Sequence, residues 1–168
     1  KKLDFEAKLN PGLPPEMTTD LQRLEQILRN LCSNAIKFTS KGKVSVDISM
    51  PGKEYDSIVA GKQPAVLFAV SDTGIGIPTE KHLEIVEAFQ QVDGSTSREY
   101  GGTGLGLSIS RELASLLGGK IMMESEPGKG AIFNLYLPLN PSEVELKKQN
   151  LVESSETDVM QDESVTVN

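Results

Sequence analysis

The 168 residues carry 17 Lys+Arg against 24 Asp+Glu, a formal charge of -7, with 38% hydrophobic and 24% charged residues, the make-up of one ordinary soluble globular domain. The acidity is uneven: residues 141–168 hold seven acids and two bases, which leaves 17 acids and 15 bases in residues 1–140. A nearly neutral body lacks the Lys/Arg excess with which nucleic-acid binders neutralise phosphates, so DNA and RNA are set aside as primary partners.

The longest uncharged apolar run, Pro64 to Val70, falls far short of the ~18 residues of a membrane helix, and no signal-peptide pattern opens the chain. The expectation is a cytoplasmic protein without direct membrane contact. Cys32 is the single cysteine, which excludes an internal disulfide or a cysteine-built zinc site; its apolar setting between Leu28 and Ile36 reads as a buried small hydrophobe.

Leu3, Phe5, Ala7 and Leu9 alternate with polar residues, the pattern of a half-buried strand, before Asn10-Pro-Gly-Leu-Pro-Pro15 breaks regular structure. Asp20 is placed to cap a helix in which Leu21, Leu24, Ile27, Leu28, Leu31, Ala35 and Phe38 recur at three- and four-residue spacing, ending before Ser40-Lys-Gly42. Val44 to Met50 and Ala65 to Val70 predict two antiparallel strands joined by a long hairpin loop. Pro78 suits the start of a helix over 79–89, and the glycine-rich stretch Gln90–Gly106 predicts a mobile loop. Leu105–Leu117 reads as a helix stopped by Gly118-Gly119, followed by strands Lys120–Glu124 and Ala131–Leu137 around the turn at 126–130. The fold class is therefore α+β, helices packed on one face of a mixed, mostly antiparallel sheet. Residues 141–168 contain no aromatic and no glycine, too little apolar surface to offset ordering entropy, and are expected to form an acidic disordered linker or tail after a domain over 1–140.

Two glycine-rich turns are candidates for chemistry: Asp72-Thr-Gly-Ile-Gly-Ile-Pro78 after a strand, and Gly101-Gly-Thr-Gly-Leu-Gly-Leu107 before a helix. Glycine lets the main chain approach a ligand closely, and a helix N-terminus offers free N–H groups to an anion; each loop also fits a plain turn. Neither is a dinucleotide fingerprint or a Gly-x4-Gly-Lys phosphate loop. In the first helix Asn30, Asn34 and Lys37 form one polar stripe at i, i+4, i+7. Asn is a poor helix former, and amide oxygens with an ammonium suit a magnesium-phosphate group; a solvent-facing stripe fits the same spacing.

Together, Asn30-Leu-Cys-Ser-Asn-Ala-Ile-Lys-Phe-Thr39, Asp72-Thr-Gly-Ile-Gly76, Ala88-Phe-Gln90 and Gly102-Thr-Gly-Leu-Gly-Leu107 closely resemble, in order and spacing, the N box, first glycine box, F box and second glycine box of the sensor histidine kinase catalytic domain. The resemblance spans roughly Lys2 to Pro138 and implies the α/β sandwich, Bergerat-type, of the wider gyrase, chaperone, histidine kinase and mismatch-repair ATPase superfamily. It implies ATP and Mg2+ as cofactors, with Asn34 on the metal, Asn30 and Lys37 near the phosphates, and Asp72 accepting a hydrogen bond from the adenine amino group. Gly74 and Gly76 would pass beside the base. The N–H groups of Gly104, Leu105, Gly106 and Leu107, with Gly102 and Thr103 before them, would hold the phosphates. Gln90–Gly101 would be a lid carrying Arg98 to a phosphate, anchored by Phe89.

Four residues before the metal-binding asparagine, hydrolytic members of the superfamily generally place a Glu; Asn30 cannot serve as general base, so hydrolysis should be weak and an ATP-driven clamp is disfavoured. No catalytic residue is assigned within this chain. The family phosphorylates a histidine on a dimerising helical hairpin that this chain does not contain, and His82, followed by Leu83, does not resemble that acceptor. Ala131 stands where the family usually has Thr or Ser. The resemblance implies transfer of the γ-phosphoryl group to a histidine on the dimerisation domain of a parent kinase, in two-component signalling with a response-regulator receiver domain. Without the acceptor domain this chain would not autophosphorylate and would be a monomer. The lid phrase is similar to that of hybrid kinases. The alternative is a non-catalytic nucleotide-binding signalling module.

Overall fold

The computed structural model describes residues 2–52, 64–88 and 105–140. The elements in chain order are β1 (Leu3–Leu9), α1 (Leu21–Phe38), β2 (Gly42–Ser49), β3 (Ala65–Asp72), α2 (Thr79–Ala88), α3 (Leu105–Leu116), β4 (Lys120–Glu126) and β5 (Gly130–Pro138). The strands form one sheet in the order β1-β2-β3-β5-β4. Only β1 and β2 run parallel; the other three ladders are antiparallel.

α1 begins where the Asp20 carboxylate accepts a hydrogen bond from the Arg23 backbone N–H at 3.0 Å, and its second oxygen pairs with the Arg23 guanidinium at 2.8 Å. One acid thus satisfies a free N–H of the first turn and complements the helix dipole. The helix ends where Thr39, in extended conformation, returns its N–H to Ala35. Its Leu24, Ile27, Leu31 and Ala35 are buried against Val44, Val66, Phe68 and Val70 of the sheet. α3 lies beside α1, its Ala114 fully buried, and stops at Gly118, whose φ of 74° lets Gly119 donate back to the Ala114 carbonyl at 2.7 Å.

Strand alternation sets the faces. Val66, Phe68 and Val70 of β3 and Phe133, Leu135 and Leu137 of β5 join the helix-side core, while Ala65 and Tyr136 pack with Leu67 and Met122 on the other face. β4 and β5 run nearer to their turn than their apolar pattern suggests, because Ser125 pairs with Ala131 and Glu126 with Gly130, leaving residues 127–129 as the turn. The alternation of β1 does not produce a half-buried strand. Phe5 and Leu9 pair with Val44 and Ile48 and so lie on the helix side, yet are 59% and 76% exposed. The reason is placement: α1 packs over β2 and β3, one strand further in. On the opposite face Glu6 pairs with Lys43; that hydrogen bond holds the Glu6 carboxyl below its usual range and lifts the Lys43 ammonium, but the pair is solvent-exposed and contributes little stability.

The expected disordered tail over 141–168, the lid Gln90–Gly101 with Arg98, and the F-box residue Phe89 lie outside the described residues. No helix of the described residues is long and apolar enough to cross a membrane.

Leu31→Ala is expected to cost about 2–5 kcal/mol in urea unfolding, since the side chain is fully buried, whereas Leu9→Ala should change stability by under ~1 kcal/mol. Burial pushes the Cys32 thiol up; its alkylation at neutral pH should be markedly slower in the folded protein than in denaturant, because only the thiolate reacts.

Candidate functional site

The polar stripe of α1 lies against two other segments. At its C-terminal end, Ile75 donates its N–H to the Phe38 carbonyl at 3.4 Å, and the Thr39 hydroxyl, which donates to Ala35 at 2.8 Å, lies 3.4 Å from Asp72 Oδ1. Two and a half turns earlier, the Asn30 amide donates to the Gly106 carbonyl and, at 2.6 Å, to Ser110 Oγ, tying α1 to the first turns of α3. At 1.5 Å rise per residue, these anchor points are about 13 Å apart along α1. Between them lie Asn34, half-buried, and Lys37, exposed with its ammonium 5.2 Å from the Phe38 ring centroid. The Asn34 amide makes no hydrogen bond among the described residues. Gln26, Arg29, Asn30 and Ser33 line a cavity of about 330 Å³ with Gly106, Ile109 and Ser110.

Asp72 ends β3 and opens a loop whose backbone groups are taken up by three different segments. Thr73 exchanges backbone and hydroxyl hydrogen bonds with Lys43 of β2. Gly74 donates to Asp72 Oδ1 at 2.8 Å, an Asx turn that fixes the carboxylate by one oxygen. Ile75 accepts from Gly128 at 2.8 Å, and Ile77 donates to Ser125 Oγ at 2.8 Å. The β4–β5 hairpin therefore grips the loop from one side while the end of α1 holds it from the other. That packing demands glycine at two places: Gly76 has φ 65° and an added Cβ would overlap the Glu126 carbonyl, and Gly130 has φ 94° and an added Cβ would overlap the Asp72 carbonyl. Ala131, buried, is the ladder partner of Asp72 and presents only a methyl group there. Ile75 is 61% exposed at the crest of the loop. His82 faces the base of the loop, a ring nitrogen 3.0 Å from the Ile77 carbonyl, which is a structural use of the one histidine.

Asn30, Asn34, Lys37, Asp72, Gly74, Gly76, Gly106 and Leu107 thus belong to segments that meet around α1, and Leu105 opens α3. Arg98, Gly102, Thr103 and Gly104 lie outside the described residues. Three contributors were not singled out from the sequence. Thr39 follows the last helical residue, a capping position; Ser125 continues the inward phase of Ile121 and Met123, a polar residue where the strand period calls for an apolar one; Ser110 is a buried polar residue on the inner side of α3. Among the described residues no cluster of three or more His, Cys, Asp or Glu is placed to hold a metal ion.

Gly128→Ala and Gly130→Ala separate backbone strain from packing. Both positions have positive φ, but the space around Gly128 is open. Gly128→Ala should cost about 1 kcal/mol and Gly130→Ala clearly more, about 2–4 kcal/mol, in chemical denaturation.

Residues 19–141 match the family described as histidine kinase-, DNA gyrase B- and HSP90-like ATPases. Over 150 residues the chain is 39% identical to hybrid signal transduction histidine kinase A of Dictyostelium discoideum, a match covering 86% of this chain and 7% of that protein. The chain spans between 7 and 17% of the length of the curated relatives it matches. Among solved structures, full-length ShkA in complex with AMPPNP aligns with a TM-score of 0.63 at 33% identity, over 84% of this chain and 26% of that one. The nucleotide-free catalytic domain of histidine kinase ThkA aligns with a TM-score of 0.60 at 30% identity, over 83% of this chain and 82% of that one. The five-stranded mixed sheet with helices on one side is the α/β arrangement of these neighbours. The chain belongs to the histidine kinase-, DNA gyrase B- and HSP90-like ATPase family, and the relatives and structural neighbours it matches are histidine kinases.

Proposed function

We propose that this domain binds Mg-ATP along α1, with the adenine at the Asp72 loop and the phosphates at the first turn of α3, and passes the γ-phosphoryl group to a histidine on a separate dimerisation domain. A receiver domain then takes the phosphoryl group in two-component signalling. The reading is carried by the Asp72 carboxylate: Gly74 engages one oxygen at 2.8 Å, leaving the other to accept a hydrogen bond from the 6-amino group of adenine. The separation of about 13 Å between the two anchor points on α1 suits an extended nucleoside triphosphate, base at one end and terminal phosphate at the other. The AMPPNP complex of ShkA supports the nucleotide.

Each group then has a physical task. Gly74 and Gly76 keep side chains out of the way of the base. The N–H groups at the start of α3, Leu105 to Leu107, meet phosphate oxygens, and the helix dipole favours the anion there. Lys37 offers a point charge, and Gly102, Thr103, Gly104 and Arg98 complete the phosphate side in the resemblance stated above. Asn34 fits a magnesium ion: its amide is half-buried and makes no hydrogen bond among the described residues, and magnesium takes few protein oxygens and would draw most of its ligands from phosphate and water. Bound there, magnesium would neutralise phosphate charge. Asn30 is engaged with Gly106 and Ser110 and, as an amide, has no basic group to activate water, which favours transfer over hydrolysis. The acceptor imidazole nitrogen attacks the γ-phosphorus as the bond to the bridging oxygen breaks and ADP leaves, so the protein acts chiefly by positioning and charge stabilisation.

With ligand ~100-fold above its dissociation constant, linkage stabilises the fold by about 2.7 kcal/mol, a rise in Tm of roughly 5–11 °C. Mg-ATP should produce that rise in the wild type and a much smaller one in Asp72→Asn. Mixed with a histidine-bearing dimerisation domain and labelled ATP, the domain should yield acid-labile phosphohistidine; binding without transfer would favour the non-catalytic signalling module.

A further inference from the structure

Ser125 sits one residue before the end of β4, half-buried and on the same side of the sheet as Ile121 and Met123. Its hydroxyl accepts from the Ile77 N–H at 2.8 Å and donates to the Gly130 carbonyl at 2.8 Å. One side chain therefore joins the exit of the Asp72 loop to the first residue of β5. Gly130 in turn packs on the Asp72 carbonyl, and Ala131 pairs with Asp72 in the β3–β5 ladder. The connections form a closed ring running Asp72, Ile77, Ser125, Gly130 and back to Asp72.

We infer that Ser125 is a positioning residue for base recognition, holding the Asp72 loop in the geometry in which the carboxylate meets the base. The inference rests on the ATP reading above and deepens it. Removing the hydroxyl strands the Ile77 N–H and the Gly130 carbonyl together, and unpaired half-buried polar groups are costly enough that the loop moves to find water. The hairpin then keeps its hold through the Gly128 to Ile75 bond. The Ser125 hydroxyl is engaged on both sides, accepting from Ile77 and donating to Gly130. Its effect is therefore confined to interactions made through the loop. The start of α3, joined to α1 by Asn30, is outside the ring.

The test compares dissociation constants for Mg-ATP and for the Mg complex of a 6-unsubstituted purine nucleoside triphosphate, which keeps the phosphates and ring but lacks the amino group. The wild type should prefer ATP, and Asp72→Asn should lose that preference. Ser125→Ala should weaken ATP by roughly 3- to 10-fold and the unsubstituted nucleotide by less than 2-fold, while Ser125→Thr, which keeps a hydroxyl, should retain the wild-type ratio. If Ser125→Ala does not fold, Ser125→Cys, with a much weaker donor and acceptor, carries the same comparison. Equal losses for both nucleotides, no loss, or a collapsed ratio in Ser125→Thr as well would overturn the inference while leaving the ATP reading intact. A wild type that binds neither nucleotide, or an Asp72→Asn variant that still prefers ATP, would overturn the reading and the inference with it.

Discussion

The loop from Asp72 to Ile77 leaves the sheet but does not leave the protein, and its backbone polar groups must still find partners. Lys43, Phe38, Gly128 and Ser125 supply them, from β2, α1 and the β4–β5 hairpin. Most of the architecture can be understood as the means of bringing those donors and acceptors to one place. β2 and β5 flank β3 so that its end is reached from both sides, and α1 runs back over the sheet so that its last carbonyl arrives above the loop. A loop satisfied in this way is rigid despite its glycines, and its carboxylate keeps a fixed direction.

The other end of the site obeys a different rule. α3 approaches α1 closely because position 106 has no side chain, and the Asn30 amide occupies the space that a Cβ would need. The same amide donates to a main-chain carbonyl of the first turn, an oxygen whose second lone pair stays open to a side chain beside its helical bond. Asp72 is set by strand and hairpin packing, the start of α3 by a helix–helix contact, and α1 is the common reference for both. The spacing between the Asp72 loop and the start of α3 thereby becomes a property of one 18-residue helix.

Much of this was legible in the sequence, and the parts that were not share a cause. α1 declared itself through its apolar spacing, its capping Asp20 and the stop after Phe38, all local signals. The central strands did so through alternation. The exposed face of β1 was not readable, because whether Phe5 and Leu9 are covered depends on which strand α1 crosses and not on their own pattern. Likewise the Asn30 stripe is visible as a stripe, but its contact with Gly106 joins residues 76 apart. Ser125 was hidden by a boundary: a strand ended at Glu124 leaves it between strand and turn, where serine is unremarkable, and only the two further rungs of the ladder make it a polar residue in an inward position.

The sheet order also fixes when the site can come into being as the chain folds. β3 and β5 are neighbours at the centre of the sheet, yet residues 65–72 must find 131–138 to pair. Closing so long a stretch of chain costs entropy before any contact repays it, so this ladder belongs to the slow, non-local part of folding, whereas α1 and the β4–β5 hairpin can form from near neighbours. Asp72 and Ala131 are the last rung of that ladder. A nascent or partly folded chain can carry a complete α1, with every polar residue of its stripe in place, and still lack the fixed Asp72 carboxylate. On the proposed reading, nucleotide recognition would be a late reporter of folding, present only once the most distant strands have met.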